Sequence, residues 1–433
     1  MTEWSLSLDF GTSNTSAAYR IGDGPVQPAQ LTDQGFSMPS SVLATATGVK
    51  VGTEAVRTRE ITPEAFEECP KLLLGQEPRW LGDREVDVED LVAAVLAYAA
   101  KRTTRLAGGQ PPSQVLLTHP YDFAETRKAS LLEAWRRTGI TAEPPVLISE
   151  PLAAIAYYAE IDPLPAGSYA AVLDIGGGTT DIALVQATSR AASPWEIVGY
   201  DGDGEVGGNA VDAVLLRHVR EALATHHPDV HQALTESMDP TAALRLRDQV
   251  RLAKHHLSEA EDALIPVSAG GHQATLVVTY AELEELTYPM VSRIHDLTQR
   301  ALRSAGLVPG DLAKLYLTGG SSLLRPLTDA VEQLLGGRPA TRDNPKLVVA
   351  LGAHYAQDPA PAPEPVPVPE PVPVPTPAPV RAPEPVPGPV PTPRPREVAP
   401  GSSLHRWLIG VAIVASVLAV LVLVTALIVR AQQ

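Results

Sequence analysis

Two strand–turn–strand units with an aspartate and glycine at each tip constrain the fold more than any other feature of the sequence. The first turn, residues 9–15 (DFGTSNT), follows a predicted strand over residues 4–8 and precedes another over residues 17–21. The second turn, residues 174–181 (DIGGGTTD), also lies between two apolar strands. Glycine lets backbone N–H groups approach an anion closely, and aspartate suits a magnesium ion that keeps its waters. The repeat therefore predicts one phosphate held between two lobes.

Length and charge limit the class of protein. The 433 residues suffice for a two-lobed globular part and a further segment, and the net charge of −16 argues against a general nucleic-acid binder. The single cysteine, Cys69, excludes an intramolecular disulfide and fits a reducing compartment. Residues 1–5 are polar before the first short strand, so we expect no signal peptide.

The C-terminal region has a different composition. Residues 358–406 are proline-rich, which predicts a disordered, polyproline II-like linker, with an SH3-type ligand as the alternative. Residues 407–429 are apolar and uncharged, and at about 1.5 Å per residue they can cross a hydrocarbon core of about 30 Å. We expect a transmembrane helix rather than a buried core helix, followed by a short tail over residues 430–433. This predicts a single-pass, tail-anchored protein of the cell membrane with a cytoplasmic N-terminal domain.

The rest of the chain alternates strands and helices, which indicates an α/β fold with layered sheets. Strands are predicted over residues 115–118, 146–148, 274–278 and 315–318. Helices are predicted over residues 88–106, 125–138, 150–159, 207–218, 241–258, 280–302, 327–335 and 347–355. Ser149 is the predicted N-cap of the third helix, and Pro151 fits its first turn.

Taken in order, these motifs resemble the nucleotide-binding domain of the heat-shock-70 (DnaK-type) chaperones, in the actin/hexokinase superfamily. The matching blocks are the two phosphate loops (9–15 and 174–181), a connecting segment (115–127 with 149–154), a third glycine block (207–212) and an adenosine block (317–322 with 344–345 and 351–353). The resemblance covers about residues 4–357. It implies a two-lobed actin-like ATPase fold with duplicated ribonuclease-H-like lobes over residues 1–357.

The resemblance also implies site residues for ATP or ADP and Mg²⁺. Asp9 and Asp174 would hold the magnesium ion through water, and Pro120 and Arg127 match an interlobe switch. The implied catalytic residues are Lys71, Glu150, Asp174 and Thr179. The implied phosphate-binding residues are Gly11, Thr12, Ser13, Asn14, Gly176, Gly177, Gly178, Thr179, Gly207 and Gly208. The implied adenosine-binding residues are Lys254, His255, Ser258, Gly319, Gly320 and Ser321.

The chain departs from the family pattern on the adenine side of the predicted site and after the C-terminal end of the resemblance. Arg251 and His255 stand where the family has a glutamate and a stacking arginine, and Lys346 stands where it has an aspartate. No peptide-binding β-sandwich or helical lid is recognisable after residue 356, so peptide chaperoning by the usual mechanism is not expected.

We therefore expect a membrane-tethered protein that binds ATP–Mg²⁺, hydrolyses it slowly and acts as a nucleotide-dependent switch or chaperone-like factor for an unknown protein partner, without nucleic acid. One alternative is an actin-like filament-forming or scaffold protein at the membrane. The other is a pseudo-ATPase that serves only as an interaction module.

Overall fold

The computed structural model describes residues 3–190, 194–236, 240–335, 340 and 344–356, all within one compact unit, Met1–Glu364. The predicted linker (358–406), transmembrane helix (407–429) and tail (430–433) lie outside the described residues. Within the described ranges, no helix is both long and apolar enough to cross a membrane.

The described elements alternate as an α/β fold requires. The strands are β1 (Trp4–Phe10), β2 (Asn14–Ile21), β3 (Gln27–Pro28), β4 (Ser37–Pro39), β5 (Val42–Thr45), β6 (Gly48–Val51), β7 (Phe66–Glu67), β8 (Arg79–Leu81), β9 (Arg84–Val86), β10 (Gln114–His119), β11 (Val146–Ser149), β12 (Tyr169–Ile175), β13 (Thr180–Ala187), β14 (Trp195–Asp203), β15 (Asp262–Ala269), β16 (His272–Thr279) and β17 (Leu312–Thr318). The helices are α1 (Thr53–Thr58), α2 (Val88–Leu106), α3 (Glu125–Thr138), α4 (Glu150–Ala159), α5 (Gly208–His226), α6 (Pro228–Glu236), α7 (Pro240–His256), α8 (Tyr280–Ala305), α9 (Arg325–Leu335) and α10 (Val348–Gly352).

Two sheets built on the same plan form the two lobes. The N-terminal sheet has the strand order β11-β10-β1-β2-β3, with β4 also paired to β2, and the C-terminal sheet has the order β14-β13-β12-β17. In each sheet the predicted unit is an antiparallel pair, with Asp9 opposite Ser16 and Asp174 opposite Asp181. The first strand of each pair also has a parallel neighbour, β10 or β17. The duplication expected from the two turns is therefore present in the sheets.

The strands and helices of each lobe are held by apolar side chains. β1 and β12 are buried at five of their seven positions, on both faces, as expected for central strands covered on both sides. One buried cluster packs α4 and α10 with residues of both sheets, among them Ala18, Leu116, Val172 and Tyr316. Because this cluster draws on both sheets, it fixes the two lobes relative to each other below the turns.

The structure corrects several predicted element boundaries. The helices over residues 88–106 and 125–138 are confirmed at their predicted ends. Ser149 occupies the N-cap of α4, but its side chain makes no cap hydrogen bond, and its Oγ is buried without a partner. The helix predicted to include Ser258 ends at His256, and the last predicted helix is confined to Val348–Gly352.

Several elements were not predicted, among them β14, β15, α6 and most of the short elements between residues 27 and 86. β14 has two glycines, Gly199 and Gly202, which weaken a strand pattern. β15 alternates buried and exposed positions but includes Pro266, which breaks the apolar run. β14 is held by antiparallel pairing to β13, a long-range partner that no local pattern reports.

Candidate functional site

A cleft of about 980 Å³ lies between the two lobes, at the tips of the paired strands. Its size falls within the range of about 300–1,000 Å³ that is usual for ligand sites. The predicted site residues that line it are Asp9, Gly11, Thr12, Ser13, Asn14, Lys71, Pro120, Arg127, Glu150, Asp174, Gly176, Gly177, Thr179, Gly208, Lys254, His255, Ser258, Gly319, Gly320 and Ser321. Gly178 and Gly207 do not line the cleft; Gly178 packs against Thr12 of the first turn, and Gly207 packs against Gly177.

The two turns face each other closely because glycine occupies the contact. A Cβ placed on Gly177 would lie 2.0 Å from Ser13 Oγ, and one on Gly178 would lie 2.8 Å from Thr12 Cγ2. Ser13 Oγ also donates a hydrogen bond to Asn209 Oδ1 at 3.5 Å. The turns of the two lobes therefore meet through small groups, which lets the backbone approach a phosphate chain closely.

Lys71 and Glu150 form a buried ion pair at the same place. Lys71 lies in a 3₁₀ turn, Pro70–Leu73, and its Nζ donates to Glu150 Oε1 at 2.8 Å. The two side chains are only 7% and 15% exposed. Burial by itself lowers the pKa of Lys71, but the carboxylates of Glu150 and Asp9 outweigh it and raise the pKa above its usual value. The cleft therefore holds a permanently protonated ammonium group beside the turns.

Asp9 and Asp174 are partly buried carboxylates whose pKa values are raised. Burial, with the nearby charge of Glu150, raises the pKa of Asp9 to about 7. Burial, Glu150 and Asp181 raise the pKa of Asp174 well above its usual value. Asp174 Oδ1 is buried and has no hydrogen-bond partner. An orphaned buried carboxylate oxygen beside a second carboxylate fits a cation as its partner.

A hydrated Mg²⁺ suits this pair better than a fully protein-ligated metal. Among the described residues, no group of three or more His, Cys, Asp or Glu side chains has the geometry to hold a metal ion. Mg²⁺ usually keeps several waters and uses one or two carboxylates together with substrate phosphates. Asp9 and Asp174 are the residues of this cleft that would hold such an ion.

The structure adds Asp181 and Tyr200, which the sequence interpretation did not place in the site. Asp181 lines the cleft and accepts hydrogen bonds from Thr179 Oγ1 at 2.9 Å and Tyr200 Oη at 2.6 Å. Burial raises the pKa of Asp181 to about 6, against the opposing effect of these hydrogen bonds. The available signal was the second aspartate of the DIGGGTTD turn. No signal in the sequence pointed to Tyr200.

The predicted adenosine side is built from ion pairs. Lys254 Nζ lies 2.8 Å from Asp212 Oδ1 and donates to the Gly208 carbonyl at 3.0 Å. Arg251 donates to Asp212 at 3.2 Å and to Glu68 at 2.6 Å, so its charge is paired with carboxylates of the protein. Burial and the neighbouring Lys254 lower the pKa of His255 to about 4, so its ring is neutral at pH 7.

The adenosine block also makes contacts within the protein. Ser321 Oγ donates to the Gly176 carbonyl at 2.8 Å, which joins the adenosine block to the second turn. Gly319 has a φ of +83°, a conformation in which glycine is favoured. Leu323 lines the cleft, whereas Arg325 packs over the Tyr280 ring at 3.8 Å.

Pro120 and Arg127 both line the cleft, but the recorded contacts of Arg127 lie within one lobe. Its guanidinium donates to the Lys71 carbonyl at 3.3 Å and lies 4.1 Å from the Phe123 ring centroid. Arg127 therefore supports the 3₁₀ turn that carries Lys71. Its role as an interlobe switch residue stays a prediction.

Ion pairs cross the mouth of the cleft. Arg59, whose side chain is 6% exposed, pairs with Asp248 on α7. A second ion pair joins the same parts of the two lobes: Arg251 on α7 pairs with Glu68 of the N-terminal lobe. Because one partner of each pair belongs to residues 59–68 of the N-terminal lobe and the other to α7, these contacts favour the closed cleft.

A comparison with known families agrees with this geometry. A family model described as Hsp70 protein matches residues 67–357, which is more than half of the chain. The match includes the Lys71–Glu150 pair, the second turn with Asp174, and α7. The Asp9 turn precedes the matched region.

Proposed function

Because the chain belongs to the Hsp70 family and is thus an ATP-binding, chaperone-like protein, we propose that its cleft binds ATP with Mg²⁺ and slowly hydrolyses it to ADP and phosphate. One observation carries this proposal: a buried, charged Lys71–Glu150 pair stands beside Asp9 and Asp174, two carboxylates with raised pKa values, where the two glycine turns meet. These groups supply the positioning and charge that phosphoryl transfer requires.

The chemistry follows from the charges of the cleft. A bound Mg²⁺ would offset negative charge on the phosphates, and Asp9 and Asp174 would hold it. The Lys71 ammonium, kept protonated by Glu150, would stabilise charge that develops on the γ-phosphoryl oxygens. Backbone N–H groups of the two turns would orient the phosphate chain.

The finer role that we propose is a nucleotide-dependent switch at a membrane. The support is the apolar run over residues 407–429, which is long enough to anchor the chain, and the proline-rich residues 358–406 before it. In this proposal the lobes close on ATP, and a protein partner in the cytoplasm recognises the closed state. Fluorescence microscopy of the tagged chain with and without residues 407–433 tests the anchor, and a membrane signal that survives the deletion contradicts it.

Calorimetric titration of the full-length protein tests the binding step. We expect ATP and ADP to bind with Mg²⁺, and we expect a chelator to weaken ATP binding at least about tenfold because the two carboxylates then lack their cation. GTP in the same titration reports on the altered nucleoside side around His255. No heat of binding with ATP–Mg²⁺ would refute the proposed function.

Replacing Arg59 by alanine is expected to speed release of bound ADP by about fivefold, since the variant loses a charge contact across the cleft, between a buried arginine and a partly exposed aspartate, worth about 1 kcal/mol. Stopped-flow measurement with a fluorescent ADP analogue gives the rate. Arg84→Ala is the matched control, because Arg84 donates to the Thr45 carbonyl within one lobe. Equal release rates for parent and Arg59→Ala would show that this pair does not hold the cleft closed.

A further inference from the structure

Two side chains of the second turn, Thr179 and Asp181, form a hydrogen-bonded series with Tyr200. Tyr200 lies on β14 and Asp181 on β13, and the Tyr200 hydroxyl donates to Asp181 Oδ1 at 2.6 Å. The other carboxylate oxygen, Oδ2, accepts from Thr179 Oγ1 at 2.9 Å. Gly202, opposite Asp181 in the sheet, makes room for this series, because a Cβ there would lie 2.7 Å from Asp181 Oδ1.

The direction of these hydrogen bonds fixes what Thr179 can do. A hydroxyl has one proton, and Thr179 gives its proton to Asp181. Its oxygen can then only accept in the cleft, so it suits a water molecule as a donor and does not suit a phosphate oxygen. Burial and the Asp181 carboxylate raise the pKa of Tyr200, so its hydroxyl stays protonated and remains the donor.

We propose that Tyr200 is a positioning residue, which holds Asp181 so that Thr179 accepts a hydrogen bond from the water that attacks the γ-phosphate. The inference rests on the proposed function and specifies how its hydrolytic step is oriented. In that step the water oxygen forms the bond to phosphorus, the bridging bond to ADP breaks, and both water protons leave on ADP, phosphate or solvent. Thr179 and Asp181 keep their own protonation states throughout.

The other lobe contributes to the placement of Tyr200. The Tyr121 ring, which follows Pro120, lies 5.0 Å from the Tyr200 ring between centroids, at an interplanar angle of 52°. A small cavity of about 20 Å³ beside the rings is lined by Pro120, Glu150, Asp174 and Asp181 among others. That volume accommodates about one water molecule. Tyr200 is therefore packed between the chemical centre and a segment of the N-terminal lobe.

Tyr200→Phe in the full-length protein tests the proposal, because the variant keeps the ring and loses only the hydroxyl. We expect the single-turnover rate of hydrolysis at saturating ATP–Mg²⁺ to fall about tenfold, the usual scale for a lost hydrogen bond to a charged group. The dissociation constant for ATP–Mg²⁺ should stay within about twofold, because Tyr200 contacts no predicted phosphate-binding residue directly. Tyr19→Phe is the matched control, since the Tyr19 hydroxyl donates to Gln27 on the protein surface.

Tyr121→Leu and the double variant separate positioning from general packing. If Tyr121 acts through Tyr200, Tyr121→Leu alone slows hydrolysis. In the double variant, Tyr121→Leu should then lower the hydrolysis rate of Tyr200→Phe by less than about a further twofold. An unchanged rate in Tyr200→Phe, or a parallel loss of rate and ATP affinity, overturns the positioning role. A parent protein that does not bind ATP–Mg²⁺ overturns the proposed function itself, so the two failures are distinguishable.

Discussion

Replacing Lys71 by alanine is expected to lower the rate of ATP hydrolysis by about a hundredfold or more, while the affinity for ATP–Mg²⁺ changes by less than about tenfold. Removing one preorganised donor from a reacting centre commonly costs a factor of about 10²–10³. Lys71 is such a group because it is buried, protonated and held by Glu150 at 2.8 Å. Single-turnover hydrolysis and calorimetric binding, measured on the same preparation, separate the two effects.

Lys71→Ala leaves the buried Glu150 carboxylate without its ion-pair partner, and a control has to account for this effect on stability. Breaking one side of a buried ion pair typically destabilises a protein by about 3–5 kcal/mol. We therefore expect Lys71→Ala to lower the thermal midpoint, and Glu150→Gln in the same chain to restore part of it without restoring the rate. Lys128→Ala is the surface control, because Lys128 pairs with the exposed Glu125. Recovery of hydrolysis in the double variant would mean that Lys71 serves the fold and not the reaction.

Sequence reasoning could predict those parts of the site whose residues lie close together in the chain. Asp9 and Asp174 each end a buried strand and begin a glycine turn, and both turns have the predicted antiparallel partner strands. The duplication of this local pattern was enough to predict that the turns face each other. The roles of Lys71 and Glu150 were inferred only through the family resemblance, and their pairing was not predicted, because no periodicity relates a lysine in a 3₁₀ turn to a glutamate at the start of α4.

The parts that sequence reasoning missed depend on how distant elements pack. Tyr200 reaches Asp181 only because β14 pairs with β13, and β14 itself was not predicted. The pair between Arg59 and Asp248 forms across the cleft, so its existence depends on the lobe arrangement rather than on either local sequence. Ser258 was placed in a helix that ends earlier, at His256, because the polar residues after it give no sharp stop signal.

Replacing Asp174 by asparagine is expected to have opposite effects on the ligand-free protein and on the reaction. Asp174 is partly buried in the wall of the cleft, has a buried, unpartnered Oδ1 and is repelled by Glu150, Asp181 and Asp9. A neutral amide removes that repulsion, so we expect the ligand-free variant to unfold at the same temperature as the parent or higher. The amide is also a poorer magnesium ligand, so we expect weaker Mg²⁺-dependent ATP binding by about tenfold and slower hydrolysis by about a hundredfold or more.

The pH dependence of stability distinguishes this effect of Asp174→Asn from general damage to the fold. Because the pKa of Asp174 is raised in the folded protein, the folded state of the parent binds the proton more tightly than the unfolded state does. When the pH falls from above the raised pKa of Asp174 towards its ordinary value near 4, Asp174 takes up a proton in the folded parent, and the parent gains stability. The stability advantage of Asp174→Asn over the parent should therefore shrink over that interval. Asp33→Asn, at an exposed side chain, should show no such convergence. If ligand-free Asp174→Asn is less stable than the ligand-free parent by the same amount at every pH, then contacts within the protein stabilise Asp174 and it does not need a cation as its partner.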